Sequence, residues 1–336
     1  MHGTNRLVFN IEGGNYIESL LISAVATILS IRFYLEFTGY PKIGGGGLHI
    51  AHMLWGGLLM LSAIFILLLF LNRPFLHLAA IIGGVGFGTF IDELGKFITN
   101  DNNYFFQPTS AIIYLIFVVL FLSLRILEKY HKFSQEEYIE NAFELTRQAF
   151  FDKTASARDS AFDMLEKIEQ STSVVKELKS ILSAIVVKEY STKNIFSRIK
   201  TKNYDLYKDM MENRFFLKAV VVFFIIFSLY NLWKAIDVIV LVFKLSEFSL
   251  TYIEWGKFLS SVITSSLVIV GIISFKFSSV RGYKMLKLGV LFSLFVTEFF
   301  DFYDNQIAAA SVFIINVLIL ITLNTILKQK LTTLKF

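Results

Sequence analysis

Residues 39–71 read GYPKIGGGGLHIAHMLWGGLLMLSAIFILLLFL, and from Leu54 onward the stretch contains no charged residue. That run approaches the roughly 20 apolar residues a helix needs to cross the hydrocarbon core of a bilayer. Four glycines, Gly44 to Gly47, lead into it, and two histidines, His49 and His52, stand at its mouth. The pattern recurs along the chain. Of 336 residues 55% are hydrophobic and 16% aromatic, with a mean hydropathy of +0.61. A soluble chain this apolar would expose greasy surface, so the class is all-α, a polytopic integral membrane helical bundle.

Eight segments have the length and hydropathy of a span: about 16–38, 50–71, 75–97, 109–126, 215–236, 256–277, 283–300 and 306–327. The first lacks a basic leader and runs past Ser23, Ala24 and Ala26 without a polar stop, so it reads as a span and not a cleaved signal. The chain has no cysteine, which rules out disulfides and thiolate metal sites.

The net charge of +5 has a location. Residues 128–214 carry fifteen acidic and fifteen basic side chains, so the excess lies in the membrane part. Bases gather in alternate loops: Arg73; Arg125, Lys129 and Lys132; Lys276, Arg281, Lys284 and Lys287; and Lys328, Lys330 and Lys335. The positive-inside rule places these loops, both termini and residues 128–214 in the cytoplasm. Topology thus accounts for the basic charge, and nothing calls for nucleic acid. Glu36, Asp92, Glu93, Asp101, Asp237, Glu247, Glu254, Glu298, Asp301 and Asp304 fall near the opposite ends of spans. Such a face attracts cations and repels anions.

Three parts follow: a first membrane repeat over 1–127, a helical cytoplasmic insert over 128–214, and a second membrane repeat over 215–336. In the insert, Ser134 followed by Glu137 reads as a capping box. Helical spacing gives three apolar faces: Ile139, Phe143, Phe150 and Phe151; Phe162, Leu165 and Ile168; and Val174, Leu178, Ile181, Leu182 and Ile185. These read as a bundle capping the membrane part or pairing with its copy in a homo-oligomer. The membrane parts resemble each other. Trp55-Gly56 answers Trp255-Gly256, and GVGFGTFIDE (84–93) answers GVLFSLFVTE (289–298). An even number of spans per copy makes these two parallel four-helix repeats.

On this topology His49, His52, Asp92, Glu93, Glu298 and Asp301 share one membrane level near the outer face. The i, i+3 spacing puts both imidazoles on one helix face, as it does Glu298 and Asp301. Carboxylates within a membrane face a bundle interior or a wet cavity. His49, His52 and Asp92 are therefore candidate ligands of a divalent transition metal, since imidazole and carboxylate without sulfur suit zinc, manganese, iron or nickel. His49 has an equal reading as an interfacial group bonded to a headgroup. Asp92 and Glu93 point about 100° apart on an unbroken helix, so Asp92 takes the interior while Glu93 pairs with Lys96 or Lys42. Arg32 either snorkels beside Glu36 or neutralises the carboxylates. Gly83, Gly84, Gly86 and Gly88 let the third span approach a neighbour closely. GGVGFG lies within a span, not between a strand and a helix, so it is no dinucleotide fingerprint.

With the segments GYPKIGGGGLHIAHMLWGG, GGVGFGTFIDELGKF, DNNYFF and EFFDFYDNQIAAA, the chain resembles a family of prokaryotic polytopic membrane proteins that brings no established activity. More loosely it is similar to membrane hydrolases of the alkaline-ceramidase and progestin/adiponectin-receptor type. Those hold zinc with three histidines, whereas this outer cluster has two and the last span has no histidine pair.

Three functions compete. A carrier for a cation or small solute fits the parallel repeats and the intramembrane carboxylates. A metal-dependent hydrolase acting on a lipid-like substrate would use Glu298 or Asp301 as base on metal-bound water. A non-catalytic scaffold or sensor would leave the polar residues as mutually satisfied structure.

Overall fold

A computed structural model describes residues 7–39, 51–101, 103–104, 106–153, 155–168, 172–186, 213–245, 251–304 and 306–333. His49 and the four glycines before it lie outside the described residues. Among the described residues every regular element is helical. In order these are α1 (Gly13–Thr38), α2 (His52–Leu69), α3 (Arg73–Ile91), α4 (Leu94–Ile98), α5 (Pro108–Tyr130), α6 (Gln135–Asp152), α7 (Ala155–Glu166) and α8 (Ser173–Ala184). Then come α9 (Arg214–Leu245), α10 (Tyr252–Ser274), α11 (Ser279–Phe292), a π-helical segment (Ser293–Thr297), α12 (Glu298–Asp304) and α13 (Gln306–Thr333).

Among the described residues six helices are long and apolar enough to cross a membrane: α1, α2, α3, α5, α10 and the Ala308–Leu327 part of α13. Only 11% of the apolar window of α2 is buried within the protein, leaving Leu58, Leu61, Ile64, Phe65 and Leu68 exposed. Lipid is the solvent that makes such a face stable. The segment expected at 283–300 is helical throughout but changes geometry, running from α11 through a π-helical turn into α12.

The chain divides into two compact units, residues 1–98 with 119–192 and residues 99–118 with 193–336; α5 passes from one to the other. In the first, α3 packs on both α1 and α2 through its glycines. A Cβ on Gly56 would sit 2.6 Å from the Phe90 nitrogen and 2.7 Å from the Gly86 oxygen. Gly84 and Gly88 turn to α1 instead, where a Cβ would strike the carbonyls of Leu20 and Ala24. The glycine stripe thus serves two neighbours, each approaching backbone to backbone.

Helices α6 to α8 close around Ala142, Leu145, Ala149, Ala157, Ala161, Leu165, Val175, Leu178 and Leu182. The capping box forms as read, with Ser134 Oγ accepting from Glu137 N and Glu137 Oε2 from Ser134 N. The face of α6 differs from expectation, since Phe143, Phe150 and Phe151 are exposed while the small residues turn inward. Alanine faces let α6 and α7 pack closely, and that geometry outweighs the bulk of the phenylalanines. In α8, Val175 replaces Val174 on the inner face and Ile181 is exposed.

Two further contacts fasten this bundle within its unit. Arg147 Nη2 donates to the Leu71 oxygen at the end of α2, at 2.8 Å. The segment before α1 lies on α6: Phe9 N donates to Glu137 Oε1 (3.0 Å) and Ile11 N to Asn141 Oδ1 (2.9 Å). Hydrogen bonds from Ser134 N and Phe9 N, with His131 alongside, hold the Glu137 carboxyl below the usual carboxylate range.

The second unit has its own core, formed by Phe224 on α9, Val268 on α10, Leu286 and Val290 on α11, Leu294 in the π-helical segment, and Ile319 and Leu323 on α13. Tyr114 of α5 stacks on Phe302 at 5.0 Å.

Candidate functional site

The site residues fall into two groups, one in each unit. In the first, α3 ends at Ile91 and α4 begins at Leu94, so Asp92 and Glu93 occupy a turn between helices. Both are fully buried. The turn removes the restriction expected of adjacent residues on a straight helix, and both carboxylates reach the same ring. His52 Nε2 lies 3.3 Å from Asp92 Oδ2, and His52 Nδ1 lies 3.2 Å from Glu93 Oε1.

Each carboxylate also meets a cation. Arg32 Nε donates to Asp92 Oδ1 at 2.7 Å, and Lys96 Nζ to Glu93 Oε1 at 2.5 Å. Glu93 Oε2 also accepts from Met53 N at 3.2 Å. That amide belongs to the first turn of α2, where helical N–H groups have no partner within the helix. Ala51, at the N-cap, has no side-chain oxygen to offer, so a carboxylate from another helix does the capping. Glu93 thus joins α2 to the α3–α4 turn, and its pairing with Lys96 is as the sequence suggested.

In the structure His52 and Asp92, two of the three expected metal ligands, meet other side chains of the protein. Both ring nitrogens of His52 lie within hydrogen-bond distance of carboxylate oxygens. Arg32 occupies one oxygen of Asp92 and His52 the other. Among the described residues there is no group of three or more His, Asp or Glu side chains placed to hold a metal. The geometry is that of an ion-pair network, in which two carboxylates are set among a guanidinium, an ammonium and an imidazole.

In the second unit, Glu298 follows the π-helical segment directly, its N–H reaching back to the Ser293 oxygen. The wider turn re-aims side chains without ending the helix. Glu298 is fully buried, and its Oε1 accepts from Asn316 Nδ2 on α13 at 2.7 Å. Asp301 does not share this partner. It lies 3.2 Å from Lys257 Nζ, which also holds Asp304 at 2.5 Å. The two acids therefore separate, Glu298 inward to an amide and Asp301 to a cation. Lys257 and Asn316 escaped the sequence reading, although an asparagine inside an apolar span is itself a signal of function.

Glu254 serves locally, closing a capping box with Thr251 at the start of α10. His77 packs edge-on against Tyr16, and His131 stacks on Phe9 while meeting Glu137. Tyr252, the first residue of α10 as His52 is of α2, is 95% exposed and takes no part in a comparable network. No protein-family model, curated protein or solved structure matches the chain.

Proposed function

We propose that the protein is a transporter-like carrier of a cation or small solute, with charged groups at helix interruptions serving as its binding and gating elements. The observation that carries this reading is the coincidence of a fully buried acid with a break in helix geometry, at Asp92–Glu93 and again at Glu298. Broken helices at membrane depth are tolerated where backbone is buried in protein or lines a cavity, and ion-coupled carriers use them for substrate and ion contacts.

The reading includes eight spans in two parallel repeats, with α9 and the α11–α12 pair completing the second set. Support comes from aligned features: α2 and α10 start at positions 52 and 252, each with Trp-Gly three residues on. The aligned acids Glu93 and Glu298 each sit where α-helical geometry is interrupted. It also includes both termini and residues 128–214 in the cytoplasm, from the distribution of Lys and Arg. The kinship with the prokaryotic membrane family belongs to the same proposal. Against the hydrolase stands the state of His52 and Asp92, whose donor atoms already face charged partners.

The test is reconstitution into liposomes loaded with a pH-sensitive dye, with imposed sodium, potassium and proton gradients and a fixed membrane potential. A carrier gives gradient-driven ion movement above empty liposomes. Tight vesicles showing no movement under any of these gradients would remove the reading.

A further inference from the structure

We propose that the second unit holds a sodium ion in a polar chamber beside Glu298. A cavity of about 20 Å³ lies among α9, α10, the π-helical segment and α13. Ser228, Thr264, Ser265, Ser293, Thr297 and Asn316 bring oxygen atoms to its wall, beside the rings of Phe224 and Phe227. The space is that of a single water-sized occupant.

The hydrogen bonding around it leaves acceptors without partners. Asn316 Nδ2 has two hydrogens, and both are used, on Glu298 Oε1 (2.7 Å) and on Ser293 Oγ (3.2 Å). With both amide hydrogens committed, Asn316 Oδ1 is left as an acceptor. That oxygen, on a residue 1% exposed, has no hydrogen-bond partner. Ser228 Oγ, 3% exposed and also on the chamber wall, has none either. Nor has Glu298 Oε2. Two of these oxygens, on Ser228 and Asn316, belong to residues that line the chamber, and buried polar oxygens without partners are costly unless something positive or hydrogen-donating joins them. Thr264 and Thr297 pair their hydroxyls at 3.1 Å, and Ser265 donates to the Ser228 carbonyl, so their remaining lone pairs also count as acceptors.

The chemistry selects the occupant. Hydroxyls and an amide carbonyl are hard oxygen donors, which suit alkali and alkaline-earth cations over transition metals. No carboxylate among the described residues lines the chamber, so a singly charged ion meets a smaller desolvation cost there than a divalent one. A sodium ion is smaller than water and fits the space. The hydroxyls and the amide oxygen supply the ligands, and the Glu298 carboxyl stands one hydrogen bond behind them through Asn316.

The inference rests on the carrier reading and names its ion, yet the two fail separately. Flux without sodium-specific binding removes this site alone, and sodium-specific binding without flux removes the carrier alone. The experiment is thermal unfolding of the full chain in detergent, titrating sodium chloride against choline chloride at constant ionic strength, with potassium chloride as a second series. The melting temperature should rise saturably with sodium and stay flat with potassium. Ser228→Ala, a small change at the chamber wall, should raise the sodium midpoint about tenfold, as expected for loss of one ligand. Asn316→Ser should do the same, with Gly57→Ala at an open surface position as a neutral control. A melting temperature indifferent to sodium, or equally responsive to potassium, would overturn the assignment and leave the chamber to water.

Discussion

The Arg32 guanidinium of α1 meets the Asp92 carboxylate at 2.7 Å, at the point where α3 breaks. Asp92 is fully buried and the Arg32 side chain is 15% exposed, so the pair is shielded from water by protein. Removing one partner of such a pair leaves an uncompensated charge, at a cost of about 3–5 kcal/mol. Arg32→Ala or Asp92→Asn alone should therefore lower the melting temperature of the detergent-solubilised protein sharply. The double substitution should destabilise by clearly less than the two added together. Strict additivity would show that the two side chains do not depend on one another.

The glycine contacts of α2 and α3 separate two neighbouring positions. Gly56 faces the backbone of α3, while nothing lies within 4 Å of a Cβ placed on Gly57. Gly56→Val should destabilise by about 1–3 kcal/mol or more, as overpacking does. Gly57→Ala should be neutral or mildly stabilising. Thermal unfolding of both variants checks this, and an equal response would contradict the close helix contact.

At Glu137 the direction of the pH effect follows from its depressed pKa. Backbone hydrogen bonds from Ser134 and Phe9 hold the carboxyl low, so the unfolded chain binds a proton there before the folded one does. Its stabilising contribution is complete above the ordinary glutamate value of about 4.3 and fades as pH falls through the lower folded value. Amide exchange at Phe9 should accelerate on acidification below that range. Glu137→Gln should show fast exchange at neutral pH already and little further change. A Phe9 amide that exchanges identically in both proteins would exclude Glu137 as its acceptor.

The proposed topology has a direct readout because the chain has no native cysteine. A membrane-impermeant maleimide should label Asn103→Cys in intact cells and Lys167→Cys only after the membrane is opened. The reverse pattern would invert the protein.

Much of the architecture was legible in the sequence because it depends on local hydropathy and local chemistry. The charge-free run from Leu54 specifies a helix for lipid, the Ser134–Glu137 spacing specifies a cap, and the glycines of α3 specify close approach. The features that escaped depend on partners far along the chain. Nothing near Glu137 announces Phe9, which lies 128 residues away. The face of α6 is decided by the alanines of α7, not by its own most apolar residues. Of the site, Arg32, Asp92, Glu93 and Glu298 were legible as charges a membrane does not accept without reason. Their roles were not, because the turn at Asp92–Glu93 lets two adjacent acids reach one imidazole. Asp301 went to Lys257 instead of joining Glu298, a choice made by the neighbouring helix.

The central claim is that the acids at the two helix interruptions serve ion movement and not only the fold. It is tested most directly by capacitive currents from proteoliposomes on a solid-supported membrane, following a sodium concentration jump. Wild type, Asp92→Asn and Glu298→Gln are compared at equal protein density, each first shown to be folded by its melting curve. The account predicts a current in wild type that falls at least about tenfold in Glu298→Gln and in Asp92→Asn, the size of effect a lost charge contact gives. A wild-type current unchanged in both folded variants would contradict it.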